Sequence, residues 1–351
     1  MNGIINVYKE KGFTSHDVVA KLRGILKQKK IGHTGTLDPD AQGVLPVCIG
    51  NATGLCGMLT DENKEYEAVL LFGFETDTQD ATGTVTAKAP DACYDGKLKE
   101  PEEAEDQEES TGPDDSTAAV KKGVPAVLPG KVEDLTNEQV EVYIKSFIGE
   151  ITQIPPMYSA LKVGGRKLYE LAREGIEVER KARPVTIHDI RILSVDLPRV
   201  TMRITCSKGT YIRTLCHDIG RKAGCGAVME SLLRTRVGRF KIEEAKRLSE
   251  IETMVREGSF DAFLIPPDQM FLKYPAGIVT DEAKKAVQNG NKLAAAMFST
   301  IEDGEEAVRE EQYKTEGKLR VYDGEGRFYG IYEWTENGSV AKPVKMFLSQ
   351  K

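Results

Sequence analysis

The chain is poor in the residues that build metal centres: four histidines and six cysteines among 351 residues, with a single tryptophan. The cysteines, at 48, 56, 93, 206, 216 and 225, form no C-x-x-C pair, and His16, His33, His188 and His217 form no H-x-x-x-H. A locally assembled zinc site is therefore excluded, and the cysteines read as reduced thiols that fill cores. No apolar run approaches the roughly 18 to 20 residues that span a bilayer, and the opening MNGIINVYKEKGFTS lacks the apolar stretch of a signal peptide. A cytoplasmic protein without a membrane partner is expected. Also missing are G-x-x-x-x-G-K-[ST], a G-x-G-x-x-G between strand and helix, G-x-S-x-G and H-E-x-x-H. Nucleoside triphosphates, dinucleotides and zinc hydrolysis lose their usual support.

What is present describes a globular protein of two or three domains, 40% hydrophobic and 29% charged. The net charge of -7 conceals a strong asymmetry. Residues 91–123 hold 11 acidic residues against four lysines, whereas residues 162–241 hold 18 Lys or Arg against eight Asp or Glu. A basic block inside a formally acidic chain points to a nucleic-acid partner, the competing reading being a solvated face rich in arginine.

Along the chain, GIINVYK reads as a strand, and TSHDVVAKLRGILK as a helix with a cap and apolar residues at helical spacing. VLPVCIG and KEYEAVLLFG read as strands, the second with Tyr66, Ala68, Leu70 and Phe72 on one face. From about 91 to 130 the composition turns to Glu, Asp, Pro, Ser and Ala, which predicts a disordered insertion. A helix capped by Thr136 or Asn137 follows, then an antiparallel pair, VTIHDIRILSVD with RVTMRITCSKG, then the helix TYIRTLCHDIGRKAG. Strands and helices mix without regular alternation, so the class is α+β. From about Tyr274 a short helix and several strand candidates predict a small, mostly β domain.

Two segments are chemically unusual. GHTGTLDPDAQGVL, from Gly32 to Leu45, crowds a histidine, hydroxyls, carboxylates and three glycines into one irregular loop. Asp38 before proline is by itself a turn residue whose carboxylate accepts a backbone N–H. A metal pair of Asp38 with Asp40 is the runner-up, but no third ligand follows at useful spacing. In SKGTYIRTLCHDIG the core face is Ile212, Leu215 and Ile219, which leaves Arg213 near a helix start, where the macrodipole disfavours a cation. If buried, Arg213 requires a carboxylate, and a bidentate pair would fix that carboxylate's geometry.

In order along the chain, KEKGFTSHDVV, GHTGTLDPDAQGVLPVCIGNAT, KEYEAVLLFGFETDTQDATG, IPPMYSALKVGGRKLYELAREGIEVERKAR and CSKGTYIRTLCHDIG resemble the successive motifs of the bacterial tRNA pseudouridine(55) synthases, the TruB family. The resemblance covers about 1–90 and 135–240. It implies a pseudouridine synthase fold over 1–270, with a mixed, largely antiparallel sheet flanked by helices, and a PUA-like RNA-binding domain over 274–351. It further implies an isomerase, without cofactor or metal, that detaches the T-loop uracil of tRNA from C1′, rotates it and rejoins it through C5. Asp38 resembles the catalytic carboxylate, Tyr66 the tyrosine that stacks on the flipped base, Arg213 the partner of the aspartate, and His33 the residue that fills the vacated place. Tyr211 and Leu233 are implied to line the uracil pocket, and Lys162, Arg166 and Lys167 to grip RNA. A monomer is expected. The acidic stretch is longer than the family's usual connection. Two other readings remain, a tRNA-binding or tRNA-folding protein without catalysis and a metal-dependent phosphodiesterase using Asp38 and Asp40.

Overall fold

The computed structural model describes residues 1–93, 98–99, 125–302, 317–335 and 338–348. Its centre is a nine-stranded sheet with the main order Gly3–Lys9, Gln42–Ile49, Ala227–Val237, Lys64–Phe72, Arg199–Cys206, Arg183–Asp196, Gly149–Gln153. Within this path only Ala227–Val237 and Gln42–Ile49 run parallel, pairing Leu233 with Gln42 and Arg234 with Gly43. The sheet is therefore mixed and largely antiparallel, as the sequence predicts for an α+β protein.

Local chemistry sets the flanking helices. Thr14 accepts from the Asp17 amide while the Asp17 carboxylate accepts from the Thr14 amide, a capping box that starts Ser15–Leu26. Val18, Val19, Leu22 and Leu26 then pack on Ile5, Val7, Leu45 and Val47 of the sheet. In Lys64–Phe72 the alternation holds: Tyr66, Ala68, Leu70 and Phe72 are buried together against Ile212, Leu215 and Ile219 of the helix Ile212–Ala223. Thr136 caps Asn137–Lys145 through a second capping box with Gln139.

Most of the stretch expected to be a disordered insertion, about 91–130, lies outside the described residues, namely 94–97 and 100–124. At the edges, however, the Asp91 carboxylate accepts from the amides of Val132 and Glu133 at 3.0 and 2.8 Å, and Leu98 is buried. Ala126–Val127 pairs parallel with Val85–Lys88. A six-stranded sheet occupies 276–346, closed over Val279, Val287, Leu293, Leu319, Val321 and Tyr332. Its Ile331 and nearby Phe347 join Leu55 and Phe271 in one cluster, and the Asn51 side-chain amide donates to the Phe347 carbonyl at 2.5 Å.

The helix Ile212–Ala223 lies backbone to backbone on the sheet. A Cβ at Gly220 would sit 1.9 Å from the Ala227 nitrogen. Gly→Ala in a helix ordinarily gains about 1 kcal/mol, but overpacking costs about 1 to 3 kcal/mol or more. The clash wins here because backbone cannot rotate away. Gly220→Ala should lower stability in urea unfolding, by about 1 to 2 kcal/mol net, and should also lower activity by displacing Arg213 two turns away on the same helix.

Candidate active site

The loop between Ile31–His33 and Gln42–Ile49 has few ladder bonds of its own, so its shape is imposed from outside. The Ala41 amide donates to the Asp38 carbonyl at 3.1 Å, closing the turn that Asp-Pro predicts. Ser15 Oγ accepts from the Leu37 amide at 2.9 Å, and the Gly12 amide donates to the Pro39 carbonyl at 2.9 Å. Lys9, fully buried, donates its ammonium to the carbonyls of Phe13 and Pro39 at 2.6 and 3.0 Å. Burial lowers its pKa to about 8, with Asp38 and Asp40 opposing that shift.

This frame presents Asp38 to Arg213. Nε of the arginine lies 3.1 Å from Oδ2 of Asp38 and Nη2 donates to Oδ1 at 3.4 Å, the two-point contact that a planar guanidinium makes with a carboxylate. The arginine side chain is 6% exposed, whereas Asp38 keeps 41% of its side-chain surface open, so the acid faces outward from a buried cation. Arg213 is also held by the carbonyls of Thr78 and Tyr158, at 3.2 and 2.8 Å, and by Asp80 Oδ2 at 3.3 Å. Asp80 is itself fixed: its Oδ1 accepts from Thr78 Oγ1, the Thr82 amide and Thr82 Oγ1. Asp40 is turned to the surface, 3.8 Å from Lys11.

Tyr66 lies on the sheet beneath, 8% exposed, and Tyr211 precedes the helix, where its amide donates to Gln153. Burial raises both phenols, and both feel the Asp38 charge, so the two rings share its neighbourhood. His33 lies edge-on to His16, with ring centres 5.2 Å apart. Burial lowers its pKa, which favours a neutral imidazole at neutral pH.

The register corrects the expectation for Leu233. That residue pairs with Glu67, whereas Leu232 pairs with Ala68 and Arg234 with Tyr66. Directly opposed residues share a face, so Leu232 lies on Tyr66's side, packed on its core cluster, and Leu233 lies on the other. Lys162 and Arg166–Lys167 form a two-stranded hairpin through Gly164 and Gly165, both with positive φ. Its base is tied near the site, since Tyr169 donates its amide to Ser159, next to the Tyr158 that holds Arg213. Asp80, Leu232 and Arg234 escaped the sequence reading. Asp80 sits in TDTQDATG, where the Thr-x-Asp-x-Thr spacing was the available signal; nothing in the sequence separates Arg234 from the other basic residues of its block.

No group of three or more His, Cys, Asp or Glu among the described residues is placed to hold a metal ion, and no described helix is long and apolar enough to cross a membrane. Burial raises the Asp38 pKa, with Arg213 pulling it down and Asp80 pushing it up. A carboxyl that holds its proton more tightly when folded contributes stability fully below the ordinary value of 3.8 and loses it as pH rises through the folded value. Asp38→Asn should therefore be no less stable than wild type at neutral pH, with the margin narrowing as pH falls toward about 4. Thermal unfolding across that range tests this; a variant less stable at neutral pH would mean that pairing with Arg213 outweighs burial.

Comparison with known proteins gives this geometry a family. The N-terminal domain model of the TruB family pseudouridylate synthases matches residues 23–126 and 108–212. The tRNA pseudouridylate synthase B C-terminal domain matches 213–271, and the C-terminal model of pseudouridine synthase II TruB matches 279–345. The chain is 47% identical over 99% of its length to a protein of Lachnoclostridium phytofermentans named tRNA pseudouridine synthase B, all of which is covered. To the protein of that name from Clostridium tetani it is 39% identical, over 96% of this chain and 97% of that one. A solved structure, a Cbf5-Nop10-Gar1 complex, contains a chain with a TM-score of 0.62 and 25% identity, covering 99% of this chain and 85% of that one. An archaeal box H/ACA Nop10-Cbf5 complex at 22% identity and a TM-score of 0.59 shares the fold. Family models laid along most of the sequence, and a relative matched from end to end, place the chain in the TruB family of pseudouridylate synthases.

Proposed function

We propose that the chain converts the T-loop uridine of tRNA to pseudouridine, with Asp38 as the essential carboxylate. The observation that carries this reading is the bidentate pair of an outward-facing Asp38 with a buried Arg213, in a chain whose relatives are named for this reaction. The reaction breaks the N1–C1′ bond and forms C5–C1′; N1 gains a proton and C5 loses one. Asp38 serves it by attacking the sugar or the base, or by taking a proton from the sugar, and each route requires the ionised carboxylate.

Arg213 supports this by aiming the carboxylate and favouring its charged form against burial. The target base must leave its stack, at a cost of a few kcal/mol. Tyr66 offers it an aromatic face, Tyr211 and Leu232 flank it, and the neutral ring of His33 takes the vacated position in the RNA. The exposed hairpin of Lys162, Arg166 and Lys167 meets RNA phosphates, so binding should weaken as salt rises.

The test uses a tRNA transcript tritiated at C5 of its uridines, without metal or nucleotide. Wild type should release about one equivalent of tritium per tRNA, unaffected by EDTA, and Asp38→Asn should release none while still binding. The rate of wild type should rise with pH as Asp38 ionises, through a range above the ordinary 3.8. No release from wild type, with salt-sensitive binding intact, would leave a tRNA-binding protein; release abolished by EDTA would favour metal-dependent chemistry.

A further inference from the structure

Arg234 is the largest fully buried side chain among the described residues, at 1% exposure. Among the described residues its guanidinium makes no ion pair. Nε donates to the Val44 carbonyl at 2.7 Å, Nη1 reaches the Thr36 carbonyl at 3.5 Å, and Nη2 is buried without a hydrogen-bond partner. A buried cation in this condition is poor packing material, since an apolar side chain of similar volume would fill the place without desolvating a charge.

Its position gives it a different use. The strand register sets Arg234 directly opposite Tyr66 on one side and beside Gly43 on the other. The approach on the Gly43 side is so close that a Cβ there would sit 2.2 Å from the Arg234 carbonyl oxygen. The two carbonyls it holds, Thr36 and Val44, bracket Asp38 in the sequence. The other charged or titratable groups that its charge reaches are Lys9, Lys64, Cys206 and His33, none of them a carboxylate. Burial drives the Tyr66 phenol up, and Arg234 is the neighbour that draws it back.

We infer that Arg234 is a positioning residue for the isomerisation: its guanidinium joins both ends of the Asp38 loop to the Tyr66 phenol, so that carboxylate and ring meet the uracil in one fixed relation. The guanidinium that acts on the phenol offers it a donor, engaging a lone pair of the phenol oxygen and leaving the hydroxyl hydrogen free to point toward the bound base. This rests on the roles given to Asp38 and Tyr66 above.

The experiment measures tritium release and tRNA binding for wild type, Asp38→Asn, Arg234→Lys, Arg234→Met, Tyr66→Phe and the Tyr66→Phe/Arg234→Met double variant, with thermal unfolding of each. Arg234→Met should lower kcat by about 100-fold with KM within about threefold of wild type, because binding is untouched and alignment is lost. Arg234→Lys, which keeps the cation but cannot span three acceptors, should recover about a tenth of wild-type kcat. In the Tyr66→Phe background the methionine should cost less than about threefold more, since the linked hydroxyl is already gone. Multiplicative losses in the double variant would overturn the link to Tyr66, and a raised KM at unchanged kcat would make Arg234 an RNA anchor instead. A folded, fully active lysine variant beside a methionine variant that does not fold would reduce Arg234 to a structural cation. Failure of wild type itself to release tritium would sink the catalytic reading before any Arg234 comparison.

Discussion

The buried guanidinium of Arg213 is the constraint around which the site is arranged. Its side chain is only 6% exposed, and stranding such a cation costs about 3 to 5 kcal/mol. Its acceptors come from remote segments: Asp38, Thr78 with Asp80, and the Tyr158 carbonyl. Folding the arginine into the core therefore assembles the site, because the same bonds that neutralise it pull the Asp-Pro loop, the turn after Phe74–Thr76 and the root of the basic hairpin to the start of one helix. That helix is in turn fixed by Gly220 against the sheet. Misplacing any one of these segments leaves a buried donor unpaired, so the arrangement has a strong energetic preference for one state.

Much of this was legible in the sequence, and the reasons differ by residue. Capping at Thr14 and Thr136 is local chemistry, readable within four residues. The buried face of Tyr66, Ala68, Leu70 and Phe72 follows from a period of two. Arg213 was legible through its awkward position, a cation at a helix start, whose explanation is the carboxylate it meets. The turn at Asp38 and its outward carboxylate prove to be one feature: the turn is what presents the acid.

What could not be read depended on partners far away in sequence. Leu232 and Leu233 are adjacent and equally apolar; only pairing with Lys64–Phe72 distinguishes them, and a bulge between Met229 and Ser231 breaks the phase that alternation would need. The basic block of 162–241 was overstated for a similar reason. Its arginines 203, 213, 221 and 236 and Lys208 meet Glu67, Asp38 with Asp80, Glu75, Glu65 and Asp61, all outside the block. Part of the apparent surplus is therefore consumed across the sheet.

The Asp38 loop itself shows how a glycine-rich segment can be held in one shape. With glycines at 32, 35 and 43 and a proline at 39, it cannot satisfy its carbonyls by helix or by a full ladder. Three buried cations do so instead: Lys9 takes Pro39, Arg234 takes Thr36 and Val44, and Arg213 takes the Asp38 side chain. Arg213 and Lys9 bring positive charge to Asp38, and of the three cations Arg213 bonds its carboxylate directly. Burial alone favours the protonated form of Asp38. Full exposure would ionise it but leave it mobile. Arg213 resolves that opposition by supplying charge and position through the same bonds, while Lys9 and Arg234 hold the backbone on either side of the acid.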